Sequence, residues 1–471
     1  MHVLLLRPVP RNDRFGLGPF FRIEPLGMEY IAAALEARGH RTTVADLRFS
    51  RSVDYCLRTT RPALVGIACM HALETDDALA LAEYVRKASP DAFVVIGGHS
   101  AAAYPSPFLA DSVDAVCVDD GESVMPDLAD ALEGGASLSA VPGLLLRDRD
   151  GADGAFVRTP PAEHIFQLDE VPRPLRRDVD IWRHQYACLL FRPVWLIETA
   201  RGCPFRCSFC SVWPMHDRAV RLRSIETVCD DFAATGPHVF VGDDLFWYHP
   251  ARSLALAQEL KRRGIRKRWL LVQSRTDLVA AHPELVEAWR PIAQDFDIFF
   301  GLEAATNEGL TDLVKDTTID RTVEAVRIAR AFGYGVTGNF VVDPDWAEAD
   351  FERLWHFVEK YKLSRAGFTI LTPLPGTPYF DKMQSRLRAV RWAQYDMHHL
   401  LWEPRLGAER FFQLYCETWR RSILNLGGSK SWSDWARQVR LADLPFLTRM
   451  LVRTQRMMRP EACLAEHLLG D

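Results

Sequence analysis

No uninterrupted apolar stretch in this chain approaches the roughly 18 residues of a membrane-spanning helix, so no spanning helix is expected. The strand-like run at residues 2–6 is ended by Arg7 and Pro8, which leaves it too short for the core of a secretory signal. A basic excess is missing as well. The 62 acidic and 57 basic side chains leave a net charge of −5, which argues against a general nucleic-acid binder. A disulfide frame is not visible either, because most of the ten cysteines stand singly inside apolar runs, as Cys69 and Cys117 do. That is the placement of reduced core residues, and the expected compartment is the cytoplasm. No short internal repeat appears, and 471 residues exceed what one core serves, so two or three domains are expected.

What is present is alternation. From residue 1 to 140, short β-rich runs at 3–6, 42–47, 63–69, 92–98 and 115–119 are spaced by amphipathic stretches such as 28–38 and 76–87. Buried strands separated by helices imply a doubly wound, Rossmann-like parallel sheet, whose ligands bind beyond the carboxyl ends of the strands. Residues 141–190 are rich in Gly, Asp and Pro and read as a linker with one hairpin. A second series, 191–385, has strand-like runs at 194–199, 238–242, 269–273, 298–303, 336–342 and 367–371. Six βα units fall short of the eight of a closed barrel, so a partial (β/α)6 barrel is expected, with its chemistry at the strand ends. Residues 386–471 lack strand alternation and read as a helical domain, with helices at 410–424, 430–439 and 446–457.

One cysteine cluster breaks the pattern. Arg201-Gly-Cys-Pro-Phe-Arg-Cys-Ser-Phe-Cys210 follows the first strand of the second series. Three thiolates at C-x3-C-x2-C reach three corners of a four-iron cubane and leave the fourth iron open, unlike the four-cysteine ferredoxin pattern. The alternative is structural zinc, which wants a fourth ligand at a recognisable spacing; His216, six residues on, is the nearest candidate. An open iron suits catalysis, whereas an iron–sulfur sensor or electron carrier gains nothing from it.

The loop, with the aromatic Phe209 just before its last cysteine, resembles the signature of radical S-adenosylmethionine (SAM) enzymes. The resemblance implies that Cys203, Cys207 and Cys210 hold a [4Fe–4S] cluster and that SAM chelates the open iron. One electron, from a donor such as flavodoxin or ferredoxin, then cleaves SAM to methionine and a radical that abstracts substrate hydrogen. It also implies places for SAM. Asp243, in Val241-Gly-Asp-Asp244, would face its ammonium, while Asp244 equally fits an N-cap. Arg275 would pair with its carboxylate or with Asp277 on its own loop, Glu303 would reach the ribose, and Gly376, in Pro373-Leu-Pro-Gly-Thr377, would sit near the adenine.

The first domain resembles the cobalamin-binding domain of class B radical SAM enzymes. The likeness is carried by Gly66-Ile-Ala-Cys-Met70, Gly97-Gly-His-Ser100, Asp120-Gly-Glu122 and Glu24-Pro-Leu-Gly-Met28. It implies cobalamin contacts at Met70, Gly97, Gly98, His99, Gly121 and Glu122, with paired glycines giving room for a bulky ligand. The Asp-x-His-x-x-Gly motif that supplies a lower histidine ligand in mutases is absent. Most enzymes with this pairing methylate unactivated carbon. Within them, the segments at 20–27, 242–247, 261–268 and 396–404 most resemble hopanoid C-3 methylases, which implies a pentacyclic triterpenoid acceptor. The open alternatives are methylation of a tetrapyrrole or an antibiotic, and cyclisation without methyl transfer. The expected partners are thus a small-molecule substrate, lipid included, and an electron donor. Residues 444–459 mix Phe446, Leu447, Met450 and Leu451 with four arginines, which suits a core-facing helix or a helix lying on the inner membrane face.

Overall fold

The structure is a computed structural model and describes residues 1–9, 18–50, 52–148, 155–163, 165, 167–363, 365–388, 391–424 and 444–468. The chain divides into two compact units, one of residues 1–12 and 24–185, the other of 13–23 and 186–471.

The first unit is built on a seven-stranded sheet. Its strands are β1 (His2–Arg7), β2 (Arg41–Asp46), β3 (Leu64–Ala68), β4 (Phe93–Gly97), β5 (Ala115–Cys117), β6 (Leu144–Arg147) and β7 (Phe156–Arg158). The order is β2-β1-β3-β4-β5-β6-β7, parallel through β5 and antiparallel at both later pairs. Nearly unbroken apolar runs such as Val3-Leu-Leu-Leu6 are buried because helices cover both faces of the parallel part. Helices α1 (Leu26–Ala37), α2 (Thr75–Ala88) and α3 (Gly121–Gly134) run between the strands. The hairpin expected inside a linker instead extends this sheet, with Leu145 opposite Val116 on one side and Arg158 on the other.

The second unit holds a six-stranded parallel sheet. Its strands follow chain order: β8 (Trp195–Ile197), β9 (His238–Val241), β10 (Lys267–Ser274), β11 (Ala293–Glu303), β12 (Gly335–Val342) and β13 (Ala366–Ile370). The six strands pair only with neighbours in that order, so among the described residues β8 and β13 are edges and the partial barrel is open. Helices α4 (Val212–Met215), α5 (Ile225–Ala234), α6 (Pro250–Arg262), α7 (Ile319–Ala331), α8 (Glu348–Lys360) and α9 (Pro378–Met383) lie along it. Hydroxyl caps start several of them: Ser224 accepts from Thr227 N and Thr318 from Arg321 N, each satisfying an otherwise orphaned helix donor. Trp247, Trp269 and Trp289 are fully buried in or against the core.

The carboxy-terminal region is helical as expected, with α10 (Ala408–Leu424), α11 (Leu444–Met457) and α12 (Pro460–Leu468). The helix expected at 430–439 lies outside the described residues. No helix among the described residues is long and apolar enough to cross a membrane.

Candidate active site

The cysteine loop leaves the carboxyl end of β8 and is closed at its root by a two-residue antiparallel pairing of Ala200–Arg201 with Arg221–Leu222. The chain turns into the loop at Gly202, whose φ is +98°. A Cβ there would stand 2.2 Å from the Ala219 carbonyl oxygen, so only glycine fits. Asp244 accepts from Gly202 N at 2.8 Å, and Asp243 accepts from both N and Oγ1 of Thr199 at 2.6 Å. The two carboxylates after β9 therefore clamp the root of the loop to the sheet. Burial pushes Asp243 up to about 7, against the pull of these hydrogen bonds. Glu198 is held in the charged form by Arg201 and Arg223, at 2.9 and 3.3 Å, although burial opposes it.

The body of the loop is fixed by main-chain bonds. Ser208 N donates to the Leu313 carbonyl at 3.1 Å, Tyr379 N donates to the Ser208 carbonyl at 3.0 Å, and Trp213 Nε1 donates to the Cys207 carbonyl at 3.1 Å. Cys207 is buried, and Cys203 and Cys210 are partly so. Burial raises all three thiols, that of Cys210 to about 12, while Lys315 and Arg275 pull Cys207 back. Such thiols stay protonated until a metal takes the place of the proton. Among the described residues no three His, Cys, Asp or Glu side chains converge on a single-ion position. His216, the extra ligand of the zinc reading, meets Arg221 Nη2 through its Nδ1 at 3.0 Å. Three thiols spread along one loop fit a cubane, whose irons stand at separate corners, better than one ion.

The other expected SAM residues stand at neighbouring strand ends. Phe209 is half-buried in the loop. Arg275 directly follows β10 and is almost wholly buried, with its guanidinium over the Phe205 ring. Glu303 ends β11 at a register shift, in a left-handed conformation with φ +60°. A non-glycine residue held there is strained, and the strain is kept by an ion pair of its carboxylate with Lys315 at 2.8 Å. A Cβ on Gly301 would lie 2.7 Å from that ammonium, which explains the glycine two residues earlier. Gly376, at φ +83°, makes the turn that leads to the Thr377 cap of α9. Lys315 and Glu198 escaped the sequence reading: only the fold brings Lys315 to the loop, and Glu198, three residues before Arg201, lies just outside the motif.

In the first unit, Met70, Gly97, Gly98 and His99 stand where β3 and β4 end, and Gly121 and Glu122 begin α3 after β5. Gly98 has φ +103°, and a Cβ on it would stand 2.7 Å from the Cys69 carbonyl oxygen. A Cβ on Gly121 would meet Ile31 Cδ1 at 2.7 Å. Gly98 is thus demanded by a close approach of backbone, whereas at Gly121 the obstacle is the movable end of a side chain. Glu74, also missed from sequence, accepts from the amides of Met70 and His71 at 2.9 and 3.3 Å and sets that loop. Burial, helped by His71, pulls His99 down to about 4, so its ring is uncharged at neutral pH. Met70 keeps 46% of its surface exposed, an apolar side chain left uncovered at the ligand-binding edge of the sheet, which fits a large flat ligand.

Comparison with known proteins agrees with this geometry. Residues 20–129 match the B12 binding domain and residues 197–358 match the radical SAM superfamily. The chain is 28% identical over 400 residues to the hopanoid C-3 methylase of Methylococcus capsulatus, covering 83% of this chain and 75% of that one. Its fold is similar to that of OxsB, a cobalamin-dependent SAM radical enzyme solved with aqua-cobalamin and SAM bound. There the TM-score is 0.66 at 19% identity, over 82% of this chain and 60% of that one. It is equally similar to the radical SAM methyltransferase TsrM of Kitasatospora setae, solved with cobalamin and a [4Fe–4S] cluster bound. The TM-score is again 0.66, at 20% identity, over 82% of this chain and 74% of that one. The chain therefore carries a B12 binding domain at residues 20–129 and a radical SAM domain at residues 197–358, and it is an enzyme working with a [4Fe–4S] cluster, SAM and cobalamin.

Proposed function

We propose that this enzyme methylates an unactivated carbon of a pentacyclic triterpenoid, at C-3 of a hopanoid. The observation that carries the choice of acceptor is the 28% identity to a hopanoid C-3 methylase, which spans both domains and 83% of this chain. The cluster and SAM together supply the hydrogen-abstracting radical, and cobalamin supplies the methyl group.

The chain's own residues hold and orient these groups. Cys203, Cys207 and Cys210 provide the three thiolates, and the closed root of the loop keeps them on one side of the sheet edge. Glu303, paired with Lys315 at the end of β11, and the turn at Gly376 in the loop after β13 would serve the ribose and adenine of SAM, a reading that their address after barrel strands supports. Met70, His99 and the Gly97–Gly98 turn offer the corrin an edge with little charge. No side chain is needed as a general base, because the hydrogen leaves the substrate as an atom. A low-potential electron donor of the flavodoxin or ferredoxin type completes the cycle. Contact with the inner membrane face is supported by α11, which leaves Leu451 and Val452 exposed at 54% and 62% beside its arginines.

The test is anaerobic reconstitution of the full chain with iron, sulfide and hydroxocobalamin, followed by incubation with SAM, reductant and hopanoids. About four irons and one cobalt per chain, with S-adenosylhomocysteine, 5′-deoxyadenosine and a methylated hopanoid formed together, are expected. Deoxyadenosine without S-adenosylhomocysteine would replace methyl transfer with a cyclisation or other non-methylating reaction.

A further inference from the structure

A guanidinium at the end of a barrel strand is well placed to meet a ligand carboxylate, yet Arg275 is committed elsewhere. Its Nε donates to Asp277 Oδ1 at 2.9 Å, and its Nη2 donates to the carbonyls of Lys315 and Asp316 at 2.6 and 3.2 Å. Its plane lies 3.6 Å from the centroid of the Phe205 ring. The remaining arm, Nη1, is directed at Cys207 Sγ at 4.0 Å. The guanidinium is a rigid fork of five donors, so fixing two of its edges on protein oxygens fixes where the third points. Arg275 keeps 5% of its surface and Cys207 7%, so water does little to screen the contact.

A second cation stands in the same place. Lys315, 6% exposed, is bonded through its ammonium to Glu303 and gives its carbonyl to Arg275. The segment that carries Lys315 is also tied to the cysteine loop, since the Leu313 carbonyl, two residues earlier, accepts from Ser208 N, next to Cys207, at 3.1 Å. Two buried positive charges thus flank one sulfur of the cysteine loop, each partly offset by its own carboxylate, Asp277 or Glu303.

We propose that Arg275 and Lys315 are positioning residues for the electron: they raise the reduction potential of the cluster, Arg275 by N–H donation to the Cys207 sulfur and Lys315 through its field. The inference rests on Cys207 being a cluster ligand. Reduction adds one electron from the low-potential donor and breaks no bond, so one more negative charge must be accommodated on the cluster. Net charge, hydrogen bonds to the sulfurs and solvent exposure set the potential of such a cluster. Nearby buried cations stabilise the reduced form.

The experiment is a mediated redox titration of the reconstituted full chain, followed by electron paramagnetic resonance, with no SAM present. Lys315→Met and Arg275→Gln are expected to hold four irons and titrate at more negative potentials, with Arg275→Lys between Arg275→Gln and the parent. Asp277→Asn, which removes the carboxylate that offsets Arg275, is expected to shift the potential the other way. That reversal of sign is beyond a residue with only a structural role, and it decides the matter where a charge-removing variant loses iron. An unchanged potential in variants with full iron overturns the proposal. If Arg275→Gln weakens SAM binding while leaving the potential in place, Arg275 belongs to the SAM carboxylate and the proposal likewise falls. A Cys207→Ala chain that retains its irons would instead refute the ligand assignment on which the inference stands.

Discussion

The two parallel sheets of this enzyme present their carboxyl edges in opposite ways. In the first unit the edge is built from backbone approaches. Gly98 lies against Cys69 O, Cys69 N donates to the Gly97 carbonyl at 2.7 Å, the buried carboxylate of Glu74 holds the Met70–His71 turn, and that of Asp46 pairs with Arg48 at the end of β2. His99 is uncharged there and Met70 is exposed. In the second unit the edge is packed with buried charge: Glu198 with Arg201 and Arg223, Asp243 and Asp244 on the loop root, Arg275 with Asp277, and Lys315 with Glu303. Burying ions is costly unless each is paired and hydrogen-bonded, so such a density marks a site that must manage charge. In the proposed placement of the cofactors, the first edge would take a broad macrocycle and the second an anionic cluster with a zwitterion.

The contrast breaks most sharply at a ligand itself. Cys207→Ala is expected to lose the cluster and all detectable SAM cleavage, read as iron content and 5′-deoxyadenosine, while Cys69→Ala keeps both. The glycine turns sharpen it next. Gly202→Ala meets the Ala219 carbonyl at 2.2 Å and Gly98→Ala meets the Cys69 carbonyl at 2.7 Å, each at a positive φ. Each should cost about 1–3 kcal/mol locally. The first should lower iron loading and spare cobalt; the second should lower cobalt loading and spare iron. Loss of both metals in either variant would mean that the two edges are not independent.

Smaller still is a pH effect confined to the charged edge. Asp243 has its folded value raised from 3.8 to about 7. The protonated form is the one the fold favours. Its contribution is therefore complete below about 3.8 and is lost as pH rises through about 7. Thermal unfolding of the apo chain should show stability falling across that window, and Asp243→Asn should flatten the fall. The smallest expected effect lies outside both edges. Val452→Glu, on the exposed face of α11, should weaken co-sedimentation with anionic vesicles several-fold without altering cofactor content. An unchanged pellet would remove the membrane contact from the proposal.

Both sheets were legible in the sequence because buried parallel strands write themselves as short apolar runs at regular spacing. The cysteine loop was legible because its three cysteines lie within eight residues of one another, so a local pattern points to the chemistry. What stayed hidden depends on contacts distant in sequence. Lys315 follows Glu303 by twelve residues across an intervening helix, and no spacing rule links them. Asp243 and Asp244 could be placed at a strand end, but that their carboxylates would turn to Thr199 and Gly202 follows only from the pairing of β8 with β9. That Gly98 also admits the Cys69 carbonyl was likewise beyond the sequence, since the two lie on loops after different strands. The strands at Leu144–Arg147 and Phe156–Arg158 looked like part of a linker because they are short and sit among Gly and Asp, and only the open edge at β5 recruits them.

The strand pair at Ala200–Arg201 and Arg221–Leu222 closes the cysteine loop on itself without help from its thiols. Its main-chain groups are held by Asp244, Leu313 and Tyr379, none of them a ligand. In a zinc finger the metal supplies the folding energy and chelation unfolds the protein. Here the loop's own contacts carry that task, so a chelator is expected to remove iron and leave the far-ultraviolet circular dichroism of the chain unchanged.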